Sequence, residues 1–165
     1  MRWVCPRPCS SHLRYFPLRQ ALRLPVLVSH RVWLQETGSS VHVHDTRRGR
    51  IKIGFGEVGI FDQQRARSIW QVSGRVEFKG RCHLGHGSKI SIPGELVLGD
   101  DFRITAESAI VAHHRVVFGD DVRISWDVLV MVTDLHGIYD AHERPLNPPP
   151  RPSRSATMSG SVAAR

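Results

Sequence analysis

Four residues towards the end of a regular stretch have types and spacing that suit chemistry: Trp126, Asp127, Asp134 and His136. Asp134 and His136 stand two apart, and in a strand such residues share a face. A carboxylate placed this way can orient an imidazole, and a neutral imidazole accepts a proton near neutral pH. Trp126 offers an aromatic stacking face, with the hydrogen-bonding group of Asp127 beside it. Each has a plainer account. A corner histidine can bond to backbone, and the Trp–Asp pair equally suits an aromatic packed on its neighbouring turn beside a solvated acid. His83, His86, His113 and His114 raise the question of zinc, which needs ligands converging at about 2.0–2.1 Å with an open fourth position in catalytic sites. Residues 113 and 114 point to opposite sides if extended, so these four read as surface or turn histidines. The G-D-D turns at 99–101 and 119–121 could bind calcium, but two isolated acids per turn are more often simple turn residues favoured for their backbone geometry.

The elements that must position these residues come from a repeat. Written in twenties, Phe78 to Gly137 reads FKGRCHLGHGSKISIPGELV, LGDDFRITAESAIVAHHRVV and FGDDVRISWDVLVMVTDLHG. Apolar residues recur every sixth place: Phe78, Leu84, Ile90; Leu98, Ile104, Ile110; Phe118, Ile124, Val130. Two further residues complete each twenty. That beat fits neither a helix nor a simple two-faced strand, but fits a short strand plus a corner, three of which make one triangular coil. Such a coil buries its aliphatics only by stacking on the next, at about 4.8 Å. The expected fold is an all-β parallel solenoid. Val58 stands twenty before Phe78 and suggests a degenerate first coil over 58–77, with Trp70 filling an end of the core. One column reads Leu96, Val116 and then His136.

This beat resembles that of the hexapeptide-repeat acyltransferases, whose fold is a left-handed parallel β-helix. Small residues occupy the expected later slot at Cys82, Ser88, Gly94 and Ser108, while Phe102 and His114 depart from it. The segment from Ser125 to His136, S-W-D-V-L-V-M-x-T-D-x-H, resembles polysaccharide and sugar O-acetyltransferases. It departs from them at Val132, where many relatives carry Asp. The resemblance implies that His136 is the general base, taking the proton of an acceptor hydroxyl as its oxygen attacks acetyl-coenzyme A. It also implies a sugar or surface-polysaccharide acceptor bound near Asp134, Trp126 and Asp127, no metal, and a homotrimer; with no secretory h-region in the first thirty residues, a cytoplasmic location is the default expectation. The alternatives are a non-catalytic solenoid, whether scaffold or broken remnant, and a metal-dependent hydrase of the carbonic anhydrase type.

The formal charge is +8, with 23 Lys and Arg against 15 Asp and Glu. Residues 1–50 hold nine Arg and two acids, 51–147 eleven basic residues and thirteen acids, and 148–165 three Arg and no acid. The repeat body is therefore nearly neutral, which argues against a nucleic-acid groove. Cys5, Cys9 and Cys82 follow no disulfide or zinc spacing, which points to a reducing compartment. No apolar run reaches the length of a membrane span, so no stable membrane insertion is expected.

The expected organisation is an N-terminal basic capping segment over 1–50, coils over 51–138, a loop over 139–150 and a disordered tail over 151–165. Within the first part, residues 35–50 read as a linker or outer strand. The tail lacks the aliphatic beat. Reading its codons from the third base permits P-V-T-I-G-D-H-V-W-I-G-S-R from Arg151 onward, another hexapeptide coil. A frameshift near Pro148 to Arg151 that truncates the family's coenzyme-binding coils is the reading this supports, with activity in doubt for the chain as it stands.

Overall fold

Short runs in which aliphatic and polar residues alternate make strands, and the Gly, Asp and Ser between them make corners. The computed structural model describes residues 23–36, 40–62 and 64–132, and the backbone of 155–158 and 161–162. Along the chain run β1 (Val26–Val28), β2 (Val32–Glu36), β3 (Ser40–Val43), β4 (Ile51–Phe55), β5 (Ser68–Val72), β6 (Arg75–Phe78), β7 (Cys82–His86) and β8 (Lys89–Ile92). They are followed by β9 (Glu95–Leu98), β10 (Phe102–Ala106), β11 (Ala109–Ala112), β12 (Arg115–Phe118), β13 (Arg123–Ile124), β14 (Leu129–Val132), β15 (Ser155–Met158) and β16 (Ser161–Val162). Among the described residues there is no helix, and so none long and apolar enough to cross a membrane.

Strands three apart in the chain are neighbours in space. A first sheet runs β1-β4-β7-β10-β13-β16, a second β2-β5-β8-β11-β14 and a third β3-β6-β9-β12-β15. All pairings are parallel: Val76 faces Leu96, Cys82 faces Phe102 and Ile110 faces Val130, each twenty residues on. This all-β arrangement of three parallel sheets is consistent with a parallel β-helix.

The nine residues of the six-place beat, from Phe78 to Val130, are all buried. They stack in columns with their partners above and below, as in Val43, Phe78, Leu98 and Phe118 of the third sheet. Full burial of one such aliphatic or Phe contributes about 1.5–3 kcal/mol. Phe102, which breaks the small-residue slot, turns inward instead. Its ring sits 4.9 Å from that of Phe118 at 55°, and it fills the column above Cys82.

The sheets begin earlier than the beat suggests. Residues 26–43 fell within the expected cap and linker, yet they supply the first strand of each sheet. Their partners are not twenty residues away: Val26 faces Ile51, Val32 faces Ser68 and Ser40 faces Arg75. Residues 56–67 intervene between β4 and β5, where the next repeat turns with Gly87 and Ser88 alone. Val43, not Val58, therefore faces Phe78. Trp70 lies within a column, between Leu34 and Ile90, and its ring stacks near Phe78.

Disorder is the sequence expectation over 151–165, but part of that stretch is paired. Arg115 to Phe118 face Ser155 to Met158, and Arg123 and Ile124 face Ser161 and Val162. A sheet edge presents N–H and C=O groups whatever side chains come to meet it. Pairing therefore needs no aliphatic beat. In consequence the partner that follows Val116 is Ala156, not His136.

Candidate functional site

After β7, β10 and β13 the chain passes from the first sheet to the second through a short corner. The residue that makes the turn has left-handed backbone in three successive repeats: Gly87 (φ 71°), Glu107 (φ 44°) and Asp127 (φ 58°). Asp is among the side chains enriched in this region. Beneath Asp127 lies Ser108, which is buried. Its Oγ is 3.0 Å from both the Ala106 and Ser125 carbonyls, to one of which it donates, and it accepts from the Val128 N–H at 3.2 Å. One hydroxyl thus ties two adjacent corners together and fixes where Trp126 and Asp127 stand.

Both of those side chains are exposed, Trp126 at 42%. Leu129 and Met131 also stand outward on β14. An open indole beside a carboxylate, on backbone held from below, can stack on a sugar ring and accept from its hydroxyls. The structure places this pair on one corner. The other two candidates, Asp134 and His136, lie outside the described residues, as does the Thr133 that precedes them.

The remaining histidines separate. His83 stands half-buried on the outward side of β7, with Nε2 3.0 Å from the Phe55 carbonyl. His113 and His114 belong to a different corner, between β11 and β12. His86 departs from the surface reading: it is 7% exposed and faces Ala106 across the sheet. Its spacing two residues after Leu84 and twenty before Ala106 was the signal for an inward slot, which its polarity masks. Among the described residues no three His, Cys, Asp or Glu side chains are grouped to hold a metal ion. Burial pushes the Cys82 thiol far up, which leaves it a core residue and no nucleophile.

The G-D-D turns have a structural account. Asp100 Oδ1 accepts from the Arg81 N–H at 2.7 Å and the Asp101 N–H at 2.9 Å, and Asp120 Oδ1 accepts from the Asp100 N–H at 2.7 Å. The first acid of each turn therefore ties down backbone of the repeat before it. The Arg81 and Asp101 amides hold the Asp100 carboxyl below the usual carboxylate range. The second acid takes the left-handed turn position at Asp101 and Asp121 (φ 52° for each).

Outward faces differ between sheets. On the third, Arg75, Glu95 and Arg115 alternate across the strands, with Arg115 Nε 2.9 Å from Glu95. On the first, Asp101 lies within 4 Å of Arg81, Arg103 and Arg123. The second sheet runs from Lys89 and Ser91 to Ala109 and Val111 and then to Leu129 and Met131. Its outward face ends in the exposed Leu129 and Met131. No protein-family model, no curated protein and no solved structure matches this chain.

Proposed function

We propose that the three sheets are the faces of a left-handed parallel β-helix and that the chain acts as a hexapeptide-repeat O-acetyltransferase. Its donor is acetyl-coenzyme A and its acceptor a hydroxyl of a sugar or surface polysaccharide. The observation that carries this reading is the exposed Trp126–Asp127 corner, held by Ser108, in a sequence that runs on to Thr133, Asp134 and His136. Trp126 stacks on the acceptor ring and Asp127 accepts from one of its hydroxyls. The acceptor oxygen bonds to the acetyl carbonyl carbon, and His136 takes its proton. The carbon–sulfur bond then breaks and the proton passes to the departing thiolate, so no metal is required. Asp134 orients the imidazole or binds the acceptor.

The apolar end of the second sheet, around Leu129 and Met131, supports burial between copies in a homotrimer. The test is acetyl transfer from acetyl-coenzyme A to a panel of sugars. Replacing His136 by Ala should lower turnover by about 100- to 10,000-fold with an unchanged melting temperature. Equal turnover in the variant would overturn the assignment.

A second reading is a non-catalytic scaffold. The strands β15 and β16 favour it, since they extend the sheets with a stretch lacking the repeat. Calorimetric titration with coenzyme A separates the two: saturable heat supports the enzyme, and none supports the scaffold. The hydrase reading predicts bound zinc, which elemental analysis would detect.

A further inference from the structure

The corner around His86 is built differently from the one above it. Where the next repeat has Ala106, this one has an imidazole that is nine-tenths buried, and neither of its ring nitrogens has a hydrogen-bond partner. Two residues on, the Ser88 hydroxyl is buried and also unpartnered, although its counterpart Ser108 makes a full set of bonds. Leaving such groups unpaired is costly, and unsatisfied groups of this kind often mark a strained or functional spot.

Two other elements meet the ring. From the following repeat comes Glu107, whose carboxylate lies over Gly87, 3.9 Å from His86 Nε2 and 3.9 Å from Lys89 Nζ. From the 56–67 segment comes Phe61, whose ring meets the imidazole at 6.1 Å and 63°. That segment stands where later repeats have a two-residue turn. The strand end just before it is held by His83, which bonds the Phe55 carbonyl at the end of β4. Strand β7 thus meets this stretch with two histidines, His83 bonded at the end of β4 and His86, unbonded, against Phe61.

We propose that His86 is a proton-operated fastening for residues 56–67. With the ring neutral, Phe61 packs on it and the segment is held. A proton on the ring places charge in a buried corner, where, among the described residues, the carboxylate within 4 Å is that of Glu107. Turning Nε2–H towards Glu107 makes a charge-assisted bond, draws that carboxylate from Lys89 and takes the ring off Phe61. His83 remains a donor in either charge state. Glu57, Asp62, Arg65 and Arg67 of the segment form no ion pair with His86.

The experiment is hydrogen exchange of the 56–67 peptide in the full chain, corrected for intrinsic rates, between about pH 8 and pH 5, where imidazoles change charge. Protection in the parent should fall about tenfold on acidification. His86→Ala, which installs the residue of the next repeat, should give low protection that does not vary with pH. Glu107→Gln keeps the ring but removes its anionic partner, and should stay protected throughout. Constant protection in the parent, or an unchanged acid response in either variant, overturns the proposal.

Discussion

At the scale of the residue, Asp100 shows how one carboxylate can be structural and pH-sensitive together. Its folded pKa is depressed by the Arg81 amide first and then by that of Asp101. Its stabilisation is therefore complete above the ordinary aspartate value of about 3.9 and is lost as pH falls through the folded value. Asp100→Asn should cost about 1 kcal/mol at neutral pH and flatten the acid limb of stability, as read from urea melts between pH 2 and 7. Trp126 belongs at this scale as well. Because it is exposed, Trp126→Ala should leave the melting temperature unchanged while raising the acceptor KM about three- to tenfold.

At the scale of the element, the corner below Trp126 is the part to disturb. Ser108→Ala strips the Val128 N–H of its acceptor inside the protein and should cost about 1–3 kcal/mol, measured by denaturant unfolding. This scale also shows what a sequence discloses. The strands from Phe78 to Val130 were legible because each inward residue recurs at a fixed interval and nothing interrupts the beat. The strands over 26–43 were not, because intervening residues such as 56–67 move their partners to unequal distances. Their side chains look like linker until the pairing is known. β15 and β16 were hidden for a different reason: backbone alone makes those pairings. At the candidate site, Trp126 and Asp127 were legible as types, while their exposure follows from the outward corner they occupy. Ser108 was legible only as a small residue, since its contacts with Ser125 and Val128 reach into the next repeat. The burial of His86 was masked by a residue type that usually sits at the surface.

At the scale of the whole molecule, two faces carry ladders of opposite charge and one ends in Leu129 and Met131. If copies meet on that face, the double change Leu129→Lys with Met131→Lys should shift sedimentation from trimer to monomer without altering the circular dichroism spectrum. The aspartate turns add a sense of direction to the stack. Asp100 secures an amide of the turn before it, and Asp120 does the same for the turn of Asp100. A growing chain would leave each turn unsecured until the following repeat has emerged, so assembly is expected to proceed from the N-terminal end. The converse holds under load. Pulled from its C-terminal end, the stack gives up its securing groups one repeat at a time. Each step bares the amide that the departing carboxylate had covered, so the stack should peel repeat by repeat and not give way at once.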